Sequence, residues 1–247
     1  MLRRNKDEVL AELPPKRRQV ALIDMDDALY LKLIAPAIEE AGRLNQDGLT
    51  PSERALLTGR VAERDRQATG IAKAPYVAAF VKALLEGGER VLLFAHHHNV
   101  MDIYKKAFKN YCPSYITGRE DDRQKDAGRC AFMEGRTPLC VISLRAAAGL
   151  NLQRATCVVF GELDWSPAVH SQAEDRAHRI GQRDSVMCYY LVAPEGCDQV
   201  MQEALGLKVS QFVQLMGDAP KDMGSPLAQT ETRLYVEKIA ERLRSMG

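Results

Sequence analysis

Nowhere in the 247 residues does the string Gly-x-x-x-x-Gly-Lys-Ser/Thr occur. The chain therefore has no loop of the kind that wraps nucleotide phosphates with backbone amides, a lysine and a hydroxyl for Mg²⁺. Its six cysteines include no Cys-x-x-Cys pair. Several stand in apolar runs, where cysteine packs as a small hydrophobe, so reduced thiols in a cytoplasmic-type compartment are expected. An excess of one charge is missing too: Lys+Arg 34 against Asp+Glu 33 leaves a net +1, so any nucleic-acid contact would need a local basic face. No apolar stretch approaches the ~20 residues of a membrane span, and Met1 to Lys6 lack the apolar core of a secretion signal; the expectation is a protein neither in a membrane nor secreted. Aromatic residues are scarce, with Trp165 the single tryptophan, and no internal repeat is visible. What remains is ordinary globular composition, 46% hydrophobic and 27% charged, enough to bury a core in one large α/β domain with or without appendages.

Helix and strand signals alternate. Thr50, Pro51 and Glu53 write a capping box for a helix to about Gln67, and Val77, Phe80, Val81, Leu84 and Leu85 mark another after Pro75, stopped by Gly87 and Gly88. Apolar, strand-like runs follow at 91–95, 114–117, 139–142, 156–160 and 186–192, separated by helical patterns at 100–111, 121–134 and 168–180. Continuous apolar strands between helices require a parallel sheet covered on both faces. The expected fold is thus a doubly wound α/β domain over 75–205. Residues 1–74 read as a helical insertion and linker, with Leu31, Ile34, Ile38 and Ala41 on one face. Residues 206–247 read as a tail ending in a helix that carries Val236, Ile239, Ala240 and Leu243.

The stretch from Gln172 to Gln182 is the most informative. On a helix, Gln172, Asp175, Arg176 and Arg179 fall at i, i+3, i+4 and i+7 and share a stripe, while Ala173, Ala177 and Ile180 bury an adjoining face. Two arginines a turn apart, flanked by a carboxylate and an amide, suit a phosphate clamp; the same charges also suit a solvated helix face. His96, His97 and His98 invite a metal, but neighbours on a strand end are expected to point apart and no tetrahedral set is completed, so none is expected. Gly118 and Arg119 suit either a phosphate-holding loop or a plain turn. The basic residues Arg3, Arg4, Lys6, Lys16, Arg17 and Arg18 suit either a DNA contact or a solvated linker, and the linker is the favoured reading. Two apolar runs end in acids, at Asp24 to Asp27 and at Glu162, and neither has a phosphate loop to work with.

Taken in order, Gly149-Leu150-Asn151-Leu152, Trp165-Ser166-Pro167 and Gln172 through Gln182 resemble motifs V and VI of the Swi/Snf-type helicase-like ATPases of superfamily two. Phe94-Ala95-His96-His97 and Glu162 are similar to the annealing-helicase branch, Ile71 to Pro75 to the approach to the second lobe, and Leu13 to Lys16 to the segment joining the two lobes. Ser143 to Ala148 depart from the family's usual Ser-Thr-x-Ala-Gly-Gly, and Ser166 from its Asn.

The resemblance implies a RecA-like second lobe that meets a first lobe across ATP with Mg²⁺, the Mg²⁺ ligands lying on that first lobe. It implies Arg176 and Arg179 as arginine fingers and Gly149, Gln172 and Asp175 at the nucleotide. It also implies contacts from His97, Gly118, Arg119 and Trp165 to double-stranded or branched DNA. The location implied is cytoplasmic in a prokaryote or phage and nuclear in a eukaryote. The alternative is a free-standing lobe that binds DNA or regulates without hydrolysis.

Overall fold

The computed structural model describes residues 14–44, 48–146, 149–206 and 237–246. Six parallel strands form one sheet: β1 (Lys16–Leu22), β2 (Val91–Ala95), β3 (Ser114–Ile116), β4 (Leu139–Ser143), β5 (Cys157–Phe160) and β6 (Val186–Val192), in the spatial order β1-β6-β5-β2-β4-β3. The helices are α1 (Asp27–Arg43), α2 (Pro51–Glu86), α3 (His98–Ala107), α4 (Asp122–Met133), α5 (Pro167–Glu174) and α6 (Asp198–Ala204). A further helix spans 237–245.

Side chains alternate across each strand, so the sheet has two cores. On one face Leu92, Phe94, Cys140, Ile142, Val158 and Phe160 meet Ile34 of α1, Val61 of α2 and Ala173 of α5. On the other, Leu93, Val141 and Val159 meet Val77 and Val81 of α2 and Val100 and Tyr104 of α3. The doubly wound parallel sheet with both faces covered is as expected.

Three local readings are corrected. The sheet begins well before residue 75: β1, read as linker, is an edge strand whose side chains are mostly half-buried and whose first four residues are polar, so it lacks the continuous apolar run of its neighbours. Helix α2 does not stop near Gln67 and restart after Pro75. It is continuous over 36 residues with Pro75 inside, because Ala72, Ala74, Val77 and Ala78 are buried on both sides of the proline and packing outweighs its local cost. Helix α5 ends at Glu174 rather than near Ile180, and Ile180 is exposed rather than packed.

Leu31, expected on the apolar face of α1 with Ile34, Ile38 and Ala41, is exposed, whereas Ile34 and Ala41 are buried and Ile38 half-buried. Other expectations stand as read: the Thr50–Glu53 capping box is formed, and Ile239, Ala240 and Leu243 join the core. Val236, Arg3, Arg4 and Lys6 lie outside the described residues. By length and composition α2 could cross a membrane, contrary to the expectation that no stretch is apolar enough, but 56% of its apolar window is buried within this fold.

Candidate functional site

Parallel strands end on one edge of the sheet, and ligands of open α/β folds collect in the crevice outside that edge. The loops after β2, β4 and β5, and the turn after α5, all meet there.

The turn 175–182 is a run of tight bonds rather than a helix: Arg176 N donates to Ala173 O at 3.1 Å, Ala177 N to Glu174 O at 3.0 Å and Arg179 N to Ala177 O at 3.1 Å. The expected single stripe of four side chains is therefore absent. Instead the turn is stitched to the loop after β4. Leu152 N donates to Arg176 O at 2.9 Å, the Arg176 guanidinium donates to Gln172 O at 3.1 Å and Leu150 O at 3.4 Å, and Arg179 donates to Asn151 Oδ1. Gln182 closes it from below, its amide donating to Ala155 O at 2.7 Å. Arg179 and Gln172 are exposed, Arg176 and Asp175 half-exposed. Gly149 has φ +77° and open space where a Cβ would stand, so the backbone beside both arginines is bare.

The root of this turn is Glu174, wholly buried. Its carboxylate accepts from Arg18 Nε and Nη2 at 2.6 Å, Lys16 at 2.9 Å and Tyr190 Oη at 2.8 Å. Burial opposes its charge, but Lys16 and Arg18 overcome this and hold the carboxyl down to about 2. Lys16 and Arg18 are thus internal partners, not a solvated linker. Asp175, expected beside the arginines, lies 3.9 Å from Lys16.

The loop after β5 carries Trp165, half-exposed and packed against the core. Helix α2 holds this loop: Arg66 donates to Leu163 O at 2.7 Å and pairs with Asp164 at 3.2 Å. His170 stays neutral under burial, lowered to about 4; its Nε2 accepts from Asp164 N at 3.2 Å and its Nδ1 donates to Ser166 O at 3.1 Å.

His97 is not open to a ligand. Its Nδ1 lies 2.6 Å from Glu162 Oε1 and its Nε2 3.2 Å from Glu63 Oε1, so both ring nitrogens are committed and its expected DNA contact has no free donor. Nor do the neighbouring histidines all diverge. The chain leaves β2 and turns into α3 at this point, so the His96 and His97 rings come edge to face at 4.8 Å and both reach Glu63. Glu63, His96 and His97 offer three donor atoms within 4.8 Å of one another. Across the edge, Gly118 has φ +91° with open space around it, and Arg119 forms a two-pronged pair with Asp102 at 2.6 and 3.3 Å.

Sequence comparison relates the chain to known proteins. The family pattern "Helicase conserved C-terminal domain" matches residues 76–181. The DNA annealing helicase and endonuclease ZRANB3 of Bos taurus is 36% identical over 218 residues, 84% of this chain and 20% of that protein. The SWI/SNF-related matrix-associated actin-dependent regulator of chromatin subfamily A-like protein 1 of Xenopus laevis is 35% identical over 247 residues, 96% of this chain and 24% of that one. The chain belongs to the Swi/Snf family of helicase-like proteins. It corresponds to their second lobe and spans only about a fifth to a quarter of the length of these relatives. The fold is shared with the Sulfolobus solfataricus SWI2/SNF2 ATPase core solved in complex with dsDNA, with a TM-score of 0.70 at 17% identity over 98% of this chain and 53% of that one.

Within this Swi/Snf lobe the structure brings Arg176 and Arg179 onto the loop that follows Gly149, through Leu150 and Asn151, and pairs Arg119, next to Gly118, with Asp102 of α3. Sequence reasoning missed Glu174 as the anchor of the arginine turn, and it missed Glu63, Arg66 and Gly70 of α2 as the shelf under the loop after β5. The last three stand at i, i+3 and i+7, a shared helical stripe, but nothing local marks that stripe as facing an active edge.

Proposed function

We propose that this chain is the second lobe of an ATP-driven motor on double-stranded DNA, supplying Arg176 and Arg179 to the phosphates of a nucleotide bound against a first lobe. The observation that carries the reading is the arginine turn: an exposed Arg179 and a half-exposed Arg176 locked by backbone and Asn151 contacts beside the bare backbone of Gly149. Bound ATP supplies a phosphoryl group whose transfer spreads negative charge over its oxygens, and fixed guanidinium donors stabilise that charge with little reorganisation. Gln172 orients Arg176 through its carbonyl. Mg²⁺ ligation is assigned to the first lobe because this lobe has no phosphate loop; of its strand-end acids, Asp26 caps α1 by accepting from Leu29 N, and Glu162 lies buried under His97.

DNA would cross the same edge near Trp165, with Gly118 and Arg119 as a second contact once Arg119 leaves Asp102. The branch whose names include annealing helicases makes branched DNA the first substrate to try. The compartment would be that of the DNA, the nucleus in a eukaryote and the cytoplasm in a prokaryote.

Fusion to a phosphate-loop first lobe of the family tests the reading. The chain alone should not turn over ATP above roughly 1 per second with DNA and Mg²⁺. The fusion should be DNA-stimulated, and Arg176→Ala and Arg179→Ala should each lower turnover by about 10³-fold with the melting temperature little changed. Unchanged turnover in both variants would return the turn to a solvated face.

A further inference from the structure

We propose that His97 is a positioning residue: an imidazolium shared by Glu162 and Glu63 that clasps the loop after β5, and with it Trp165, to helix α2 and the start of α3. A neutral imidazole has one N–H and one lone pair, whereas an ionised carboxylate only accepts. A ring with Nδ1 at 2.6 Å from one carboxylate oxygen and Nε2 at 3.2 Å from another satisfies both contacts only when both nitrogens carry protons. In either neutral tautomer one lone pair would face another.

Glu162 gives the charge its reason. The residue is 1% exposed, and its Oε2 accepts from the amides of His96 and His97 at 2.7 and 2.9 Å, a carboxylate seated on the N-terminus of α3. Among the described residues its charged hydrogen-bond partner is His97, so neutralising the ring would leave a buried carboxylate without a counter-charge. The fit extends to α2. A Cβ on Gly70 would lie 2.4 Å from Glu162 Oε1, so the helix touches the carboxylate closely only because that position is glycine. Glu63, Arg66 and Gly70 therefore act together: Glu63 accepts a hydrogen bond from the second ring N–H, Gly70 makes room, and Arg66 holds Leu163 and Asp164 just beyond.

The charged and titratable groups around the ring are Glu63 and Arg66 from α2, Glu162 after β5, His96 from its own turn, and Arg145 after β4, whose guanidinium lies 3.3 Å from His96 Nε2. Burial and Arg66 oppose a charge on His97, but hydrogen bonds to Glu162 and Glu63 prevail and raise it to about 9. The folded value lies above the ordinary ~6.5, so the stability the clasp contributes is fully present below about pH 6.5 and declines above it, and the clasp itself opens as pH rises through about 9.

The test needs only this chain and no nucleotide, DNA or first lobe, so its failure is separable from failure of the motor reading. Nitrogen-15 histidine labelling reads both ring nitrogens of His97. The expected result is two protonated nitrogens at pH 7.5, titrating near 9 and shifting down by at least about one unit in Glu162→Gln. Trp165 is the single tryptophan, so its emission reports the loop. It should change between pH 8 and 9.5 in the wild type, while His97→Gln should show the high-pH emission already at pH 7.5 and no step. A neutral His97 ring at pH 7.5 overturns the proposal. So does a Trp165 emission profile that is identical in wild type and His97→Gln. So would stoichiometric binding of added Zn²⁺ that strips both His97 protons at pH 7.5, which would make Glu63, His96 and His97 a metal site.

Discussion

At the scale of single residues, Glu174 decides more than any exposed charge on the molecule. Two cations and a phenol converge on one buried carboxylate, and removing one member of such a set typically costs 3–5 kcal/mol because the others stay buried. Glu174→Gln should destabilise the chain by about that amount in urea melts at pH 7. Its acid behaviour follows from the same contacts. The folded carboxyl is held at about 2, below its usual ~4.3, so its contribution is complete above the usual value and disappears as pH falls toward 2. Melts between pH 2.5 and 7 should show a steep acid loss in the wild type and a flatter one in the variant.

Trp165 belongs to the same scale. Because it is half-exposed yet packed on the core, Trp165→Ala should lower both stability and DNA affinity. The expected losses are about 1–3 kcal/mol in stability, less than for a fully buried ring, and about 1–3 kcal/mol in binding if a base stacks there. Thermal melts and DNA titrations on one preparation separate the two; affinity intact per folded molecule would remove Trp165 from the DNA path.

Among the elements, α2 gives the sharpest contrast. Two of its glycines differ only in what surrounds them: a Cβ at Gly59 meets nothing within 4 Å, while one at Gly70 meets Glu162 Oε1 at 2.4 Å. Helix propensity alone predicts that alanine stabilises at both sites by roughly 0.5–1 kcal/mol. Gly59→Ala should do so, whereas Gly70→Ala should destabilise by about 1–3 kcal/mol through overpacking, and denaturant midpoints will give the opposite signs.

The same helix illustrates what was legible in the sequence and what was not. Strands β2, β4 and β5 were readable because they are buried on both faces and so are written in unbroken apolar residues. Strand β1 was not, because at the sheet edge with half-buried side chains its composition, from Lys16 to Leu22, matches that of a linker. The arginines were found from their own motif. Their anchor was hidden because Arg18 and Glu174 are far apart in the chain, and no periodicity reports such a meeting. His97 was noticed without its partner for the same reason: Glu162 reaches it through the adjacency of β5 and β2. The end of α5 at Glu174 was illegible because an apolar and charged pattern continues across it while tertiary bonds to Leu150 and Asn151 turn the chain.

For the molecule as a whole, the helix at 237–245 behaves as part of the lobe. Ile239, Ala240 and Leu243 are buried in its core, and Arg242 pairs with the buried Asp65 at 2.8 Å and donates to Tyr30 Oη at 3.0 Å and to Gly196 O. Arg242→Ala would strand Asp65 without its counter-charge and should cost a few kcal/mol. Pairing it with Asp65→Asn should recover part of that loss, which a double-mutant cycle in urea will measure.

The order of strands also bears on how the protein is made. Among the described residues strand β1 pairs with β6 alone, its register running from Lys16 opposite Val186 to Leu22 opposite Val192, and the chain between them forms the rest of the sheet. A ribosome therefore releases β1 early and must hold it unpaired until almost all of the lobe has emerged. Long-range parallel pairing closes slowly, and an unpaired strand is exposed to wrong partners meanwhile. Charges at Lys16, Arg17 and Arg18 are suited to that interval, since like-charged strands resist pairing with one another. Nascent chains stalled before β6 should be cleaved readily near β1 by protease, and those stalled after it should be protected there.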